Sequence, residues 1–149
     1  MIPYGRQDVT KDDIRSVVDV LESDFLTQGP VVPKFEKKIC EITQVSHSIA
    51  VNSCTSGLHI ACLALGLGRG DILWTSSITF VASANCALYC GAKVDFIDVD
   101  PDTALISIDN LKIKLLEAKR IGCLPKIVIP VHFAGQSCDM KEIHALGQE

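Results

Sequence analysis

The feature that most constrains the fold of this chain is its alternation of short apolar segments with longer amphipathic ones. Ile14, Val17 and Leu21 recur at the spacing of one helical face. Further helices are predicted over residues 32–42, 55–65, 80–89, 107–119 and from 139 onwards. Short apolar runs typical of buried strands occupy residues 48–51, 71–75, 93–97 and 126–131. This order predicts an α/β fold in three layers, α/β/α, in which helices cover both faces of a mostly parallel sheet.

The length and charge of the chain limit its architecture and its partners. The chain has 149 residues, 48% of them hydrophobic and 21% charged, which is typical of a globular domain. No linker or low-complexity tract interrupts the sequence, so one continuous domain is predicted. Lys plus Arg number 14 against 18 Asp plus Glu, a net charge of −4. A chain without a basic excess is not expected to bind nucleic acid.

The start of the chain and its cysteines favour a cytoplasmic location. No basic segment followed by an apolar one opens the sequence, and the longest apolar run, around residues 127–131, is too short to cross a membrane. The seven cysteines are odd in number and lie in apolar runs, which favours reduced thiols. Cys86 and Cys90 could share a helical face as metal ligands. No further Cys or His pair completes a ligand set, so core packing is favoured and no metal is predicted.

In a parallel α/β sheet, ligands bind beyond the carboxyl ends of the strands, and three such ends are informative here. The first, residues 52–59 (NSCTSGLH), leads from a predicted strand into a predicted helix. The free backbone N–H groups of the first helical turn, together with the hydroxyls of Thr55 and Ser56, would form a phosphate cradle. An ordinary Ser or Thr helix cap is the alternative, since such caps are common.

The other two strand ends carry an aromatic residue and a histidine. Phe80 follows the strand at 71–75 and could either lie over a flat heterocycle or pack in the core. His132 follows the strand at 126–131 and could act as an acid, a base or a ligand. A lone histidine beside an apolar strand is more often a structural hydrogen-bonding group, and we favour that interpretation for His132.

Together these segments resemble the N-terminal part of the DegT-type family of nucleotide-sugar aminotransferases. Its members are pyridoxal-phosphate (PLP) enzymes of the aspartate aminotransferase fold. The resemblance covers the whole chain and rests on six stretches: 24–30 (DFLTQGP), 51–59 (VNSCTSGLH), 70–75 (GDILWT), 77–85 (SITFVASAN), 91–101 (GAKVDFIDVDP) and 130–136 (PVHFAGQ). Residues 1–6 and 23–29 are most similar to the pseudaminic-acid pathway member. That enzyme aminates C4 of a UDP-linked 4-keto-6-deoxy sugar, usually with glutamate as the amino donor.

The resemblance implies a cofactor site and a substrate site. Thr55 and Ser56 match the PLP-phosphate turn of the family, Ser53 lies beside that turn, and Phe80 matches the aromatic residue that stacks on the pyridine ring. Five residues match segments that approach the nucleotide-sugar: Tyr4, Asp24, Phe25, Leu26 and Thr27. Because intact relatives are dimers, the resemblance also implies a homo-oligomer.

The resemblance further implies what these 149 residues lack. The family uses a Schiff-base lysine and an aspartate paired with the pyridine nitrogen, and both follow the last strand present here. We therefore expect residues 1–149 to be the N-terminal portion of a truncated PLP-transferase large domain, without its C-terminal half or the small domain. No catalytic residue is assigned, and no covalent PLP or transaminase activity is expected. The alternatives are a non-catalytic anion-binding module and a degenerate structural remnant that self-associates.

Overall fold

The computed structural model describes residues 5–148, which form two compact units, one up to Ala50 and one from Val51 onwards. The sequence shows no change of composition at this point, and one continuous domain was the expectation. A division of this kind depends on contacts between residues distant in the chain, which composition does not report.

The first unit contains two helices, α1 (Lys11–Leu21) and α2 (Val31–Thr43). A capping box fixes the start of α1, since the Asp13 N–H donates to Thr10 Oγ1 at 3.2 Å and the Thr10 N–H donates to Asp13 Oδ2 at 2.7 Å. The left-handed backbone of Gln44, with φ of 60°, ends α2. Both predicted helices are confirmed, and no residue of either helix is fully buried.

The second unit is built on three parallel strands, β1 (Ile72–Ser76), β2 (Lys93–Ile97) and β3 (Ile127–Ile129), in the order β2-β1-β3. The central strand pairs Trp74 with Asp95 on one side and with Val128 on the other. The three strands confirm three of the four predicted ones, although β3 is shorter than the apolar run that predicted it. All the carboxyl ends of the strands therefore lie at one edge of the sheet.

Four helices cover the sheet: α3 (Cys54–Ala64), α4 (Ala82–Tyr89), α5 (Ile108–Ile121) and α6 (Met140–Leu146). Leu73 packs in one core with Cys62 of α3 and Cys86 of α4. Trp74 packs in a second core with residues of α5, including Leu111 and Ala118. Because consecutive strand residues face opposite sides, the two cores lie on opposite faces of the sheet. The predicted α/β/α layering is thus confirmed.

The predicted strand at residues 48–51 is wrong. These residues have no strand partner, Ile49 is 78% exposed, and the Ala50 N–H donates to Glu36 Oε1 at 2.8 Å. A side chain of α2 therefore takes a backbone donor that a sheet would need. The short apolar run satisfied the strand pattern, but the pattern cannot report whether a neighbouring strand is available.

The helices α3 to α6 agree with their predictions to within about two residues, and side-chain caps explain where α3, α5 and α6 begin. Ser53, Ser107 and Asp139 each accept from the backbone N–H three residues later. Cys86 is fully buried, in agreement with core packing. No helix within residues 5–148 has the length and apolar content needed to span a membrane.

Candidate functional site

In the second unit, the first turn of α3 and the loop that follows β1 lie at the carboxyl edge of the sheet. Lys126 Nζ donates to both Gly66 O and Asp71 Oδ2, at 2.6 and 2.9 Å, so the end of α3 lies at the amino edge of the sheet. The connectivity therefore directs the start of α3 towards the opposite, carboxyl edge. Residues 77–81 leave β1 at this same edge. Ser53, Thr55, Ser56 and Phe80 consequently belong to one side of the unit.

The first turn of α3 carries hydrogen-bond donors that the helix itself cannot use. Ser53, in extended conformation, accepts from the Ser56 N–H at 3.2 Å, and its Oγ lies 3.1 Å from Ser56 Oγ. Within residues 5–148, no acceptor is bonded to the backbone N–H of Cys54 or Thr55. The helix cap is therefore Ser53, whereas the N–H groups of the following two residues are available to an anion.

Gly57 lies in the same turn and makes it compact. A Cβ at this position would lie 3.3 Å from Val51 Cγ2, which is tighter than an ordinary contact. The turn thus packs closely on the chain that leads into it, and the hydroxyls of Thr55 and Ser56 are half-buried rather than fully solvated.

Phe80 follows β1 at the carboxyl edge and is 65% exposed. The alternative that Phe80 packs in the core is therefore wrong. Its backbone serves the start of α4, since the Ser83 N–H donates to Phe80 O at 2.9 Å. An exposed ring at the ligand-binding edge of a parallel sheet is free to lie against a planar ligand.

Ser76 is a candidate that the sequence analysis missed. It is the last residue of β1, only 1% exposed, and its Oγ has no hydrogen-bond partner within the part of the chain that the structure describes. Burying a hydroxyl without a hydrogen bond costs about 1–3 kcal/mol of folding free energy. Such a group at the carboxyl edge of the sheet favours a hydrogen bond to a ligand. The available signal was a hydroxyl residue at the end of an otherwise apolar strand.

His132 has the structural role that the sequence favoured. Its Nδ1 accepts from the Cys138 N–H at 3.0 Å, so this nitrogen carries no proton. The Cys138 thiol in turn donates to Val131 O at 3.1 Å. These bonds close the loop after β3, in which Ala134 adopts a left-handed backbone with φ of 51°.

Four of the five residues that the resemblance assigned to the nucleotide-sugar, residues 24–27, belong to the first unit. Asp24, Phe25, Leu26 and Thr27 form the connection between α1 and α2, where the Phe25 N–H donates to Ser23 Oγ at 3.2 Å. Phe25 and Leu26 are exposed and line a groove of about 370 Å³. Tyr4 lies outside the described residues. Residues 24–27 thus belong to the first unit, and the candidate cofactor residues belong to the second.

Two carboxylates of the second unit with lowered pKa values, Asp71 and Asp95, are held by lysines. The hydrogen bond from Lys126, together with the Gly68 N–H, lowers the pKa of Asp71. Burial raises the pKa of Asp95, but hydrogen bonds from Lys114 and from the Phe96 N–H outweigh it, so the pKa is lowered overall. Lys114 also lies 5.1 Å from the centre of the Trp74 ring. These two lysines therefore stabilise the fold.

Comparisons with known proteins agree in sequence and in structure. The chain is 41% identical over 147 residues to the spore coat polysaccharide biosynthesis protein SpsC of Bacillus subtilis, a match that covers 99% of the chain and 36% of that relative. A Streptococcus pneumoniae protein described as a sugar aminotransferase, in its PLP form, matches with a TM-score of 0.86 and 29% identity, over 97% of the chain and 36% of that structure.

A third match is PseC of Helicobacter pylori, an aminotransferase involved in the biosynthesis of pseudaminic acid. Its TM-score is 0.86 at 29% identity, over 98% of the chain and 38% of that structure. The chain thus spans little more than a third of the length of these relatives. The family profile covers residues 7–149, nearly all of the chain. The chain belongs to the DegT/DnrJ/EryC1/StrS aminotransferase family.

Proposed function

We propose that this chain is the N-terminal portion of the major domain of a PLP-dependent aminotransferase acting on a nucleotide-linked 4-keto-6-deoxy sugar. Glutamate is the proposed amino donor, and the proposed setting is cytoplasmic biosynthesis of a surface polysaccharide or glycan. Family membership supports the reaction class, and the names of SpsC and PseC support the sugar pathway. One observation carries the proposal: the first turn of α3 (residues 53–56, here called the mouth of α3) and the exposed Phe80 lie at one edge of the sheet.

The donor set at this edge suits PLP, which combines a phosphate with a planar aromatic ring. Backbone N–H groups at a helix start bind phosphate without needing a cation, and the hydroxyls of Thr55 and Ser56 would add to them. Phe80 would lie against the pyridine ring, and Ser53 would hold the turn as its cap. When bound, PLP would supply the electron sink that amino transfer requires. Tyr4 and residues 24–27 would contact the nucleotide-sugar.

We further propose that these 149 residues alone do not catalyse transamination. The reaction needs a lysine at the cofactor. The lysines with clear partners are engaged elsewhere: Lys126 with Asp71, Lys114 with Asp95, Lys112 with Glu142 and Lys38 with Glu41. Within the described part of the chain, none of these four lysines has a hydrogen bond to Thr55, Ser56 or Phe80. The alternative function that these features support is binding of an anion without chemistry.

The decisive experiment assays amino transfer from glutamate by the purified chain supplied with one equivalent of PLP. A parallel sample with PLP is reduced with borohydride for peptide mapping. We expect no single lysine to be modified in preference to the others, and no amino transfer. A stoichiometric adduct on one lysine, accompanied by turnover, would overturn the inactivity proposal. Calorimetry with inorganic phosphate tests the anion site separately. Thr55→Val with Ser56→Ala should weaken any phosphate binding, whereas Thr43→Val, in the first unit, should not.

Self-association is the remaining proposal. The first unit exposes Val17, Leu21 and Phe35, and exposed apolar faces of this kind promote association in water. We propose a homo-oligomer, a dimer or larger. Sedimentation equilibrium at increasing concentration should show a rising mass, and a monomer at every concentration would contradict it. A self-associating chain that binds no phosphate would instead support the structural-remnant interpretation.

A further inference from the structure

We propose that Asp98 is a positioning residue of the candidate cofactor site, acting through Ser77 on the loop that presents Phe80. This inference rests on the proposed function, because it concerns how the ring of Phe80 is oriented towards a planar phosphate-bearing ligand. Asp98 follows β2, whereas Ser77 and Phe80 follow β1. The two strands are neighbours in the sheet, so their ends meet at the carboxyl edge.

Two hydrogen bonds attach the loop after β1 to the end of β2. Ser77 Oγ donates to Asp98 Oδ1 at 3.0 Å, and the Ser77 N–H donates to Ile97 O at 2.9 Å. The second bond continues the ladder between the strands. The bond between Ser77 Oγ and Asp98 Oδ1 joins two side chains and holds the carboxylate against the first residue of the loop.

Asp98 is itself fixed by its own surroundings. The Val99 N–H donates to the same Oδ1 at 2.8 Å, and the Ser107 N–H donates to Asp98 O at 3.0 Å. Ser107 is the cap of α5, since its Oγ accepts from the Asn110 N–H at 3.2 Å. The Asp98 backbone is therefore held at the start of α5 by its carbonyl group, and its carboxylate is held by the Val99 N–H.

The far end of the loop is anchored to α4. Thr79 Oγ1 donates to Ser83 Oγ at 2.8 Å, and the Ser83 N–H donates to Phe80 O at 2.9 Å. The Phe80 ring is mostly exposed, so packing against the core does not fix its direction. The direction of the Phe80 side chain is set instead by the backbone of residues 77–83, which is held at both ends. The Ser77–Asp98 bond holds the end at β1, and the Thr79–Ser83 bond holds the end at α4.

The test compares two probes that share a phosphate group but differ in having a ring. Pyridoxamine 5′-phosphate carries the ring and, having no aldehyde, cannot form adducts with surface lysines. Inorganic phosphate carries no ring. Affinities for both are measured on the whole 149-residue chain by calorimetry, for the wild type and for Phe80→Ala, Ser77→Ala and Asp98→Ala, the last of which removes the acceptor of the Ser77 hydroxyl. Asp102→Asn removes the same charge nearby, with no side-chain bond to the loop, and serves as the matched control. Ser77→Thr keeps the hydroxyl and serves as the conservative rescue.

We expect Ser77→Ala and Asp98→Ala to weaken pyridoxamine 5′-phosphate binding about two- to tenfold, the range that one hydrogen bond contributes, while phosphate affinity is unchanged. Neither change should weaken binding further in the Phe80→Ala background, and Ser77→Thr and Asp102→Asn should match the wild type. Equal loss for both probes would indicate general unfolding and would overturn the positioning role. Wild-type affinity in both variants would also overturn it while leaving the proposed function intact. Failure of the wild type to bind pyridoxamine 5′-phosphate would instead overturn the proposed function, and the positioning role with it.

Discussion

The two units of the chain follow the same sequence rules but bury their apolar residues very differently. In the second unit, Leu73, Ile97 and Leu111 are fully buried on the two faces of the sheet. In the first unit, Ile14, Val17 and Leu21 form a regular helical face and yet are all exposed. Helical periodicity therefore predicts the helix correctly in both cases, but it does not predict what the apolar face contacts.

This difference also separates the two kinds of candidate residue. The cofactor candidates are carried by a second unit in which α3 is capped by Ser53 and both α3 and α4 pack on the sheet. The substrate candidates of the first unit lie in an exposed connection, where Gln28 adopts a left-handed backbone with φ of 52°. A rigid scaffold suits a site that must hold a cofactor in one orientation, whereas an exposed connection suits a surface that a substrate covers.

Replacing one leucine by alanine in each unit should give the largest difference, in the free energy of unfolding. Leu73→Ala removes a side chain that is 0% exposed and should lower the free energy of unfolding by about 2–5 kcal/mol. Leu21→Ala removes one that is 64% exposed and should change it by about 0.5 kcal/mol or less. Urea denaturation followed by circular dichroism measures both. Equal losses would mean that the first unit buries this face in solution.

Thiol reactivity tests the buried core of the second unit. Burial, and then a hydrogen bond with Cys86, raise the pKa of Cys62 to about 11 from an ordinary 9.0. Two pKa units reduce the thiolate fraction about a hundredfold near neutral pH, so alkylation of Cys62 should be slower by at least that factor. Cys123 is exposed and serves as the internal control. Iodoacetamide labelling with peptide mapping gives both rates, and comparable rates in the folded chain would contradict the buried core.

The smallest effect concerns two carboxylates whose pKa is lowered for different reasons. Hydrogen bonds from the Thr10 backbone and side chain lower the pKa of Asp13, and the hydrogen bond from Lys126 is the largest cause for Asp71. Each carboxylate therefore stabilises its folded unit above its ordinary pKa, and this stabilisation is lost as the pH falls through the lowered value. Lys126→Met should raise the pKa of Asp71 and leave that of Asp13 unchanged. Carbon-13 NMR titration measures both, and a shift at Asp13 would contradict independent local causes.

The sequence predicted the parts of the fold that depend on local chemistry. The helix predicted from residue 107 is the clearest case, because the Ser107 side chain accepts from the backbone N–H of Asn110 and fixes the start of α5. The helix expected from Phe80 instead begins at Ala82, because Phe80 O accepts from the first turn of α4. Such a difference of two residues is common where a loop supplies the acceptor.

Features that depend on distant residues were not predictable. Residues 48–51 resemble a strand, but the Ala50 N–H is bonded to Glu36 of α2. Likewise, the isolation of the Ser76 hydroxyl and the contact between Ser77 and Asp98 depend on how β1 and β2 end in the fold. The phosphate turn was suggested by its residue types, whereas the exposed direction of Phe80 required the structure.

We propose that the mouth of α3 and the ring of Phe80 form one site on the second unit. Titration of the labelled chain with pyridoxamine 5′-phosphate, followed by NMR, tests it directly. We expect the amide signals of Cys54, Thr55 and Ser56 and the ring signals of Phe80 to shift together along one binding curve. Shifts confined to one of these two groups, or saturating at different concentrations, would contradict a single site.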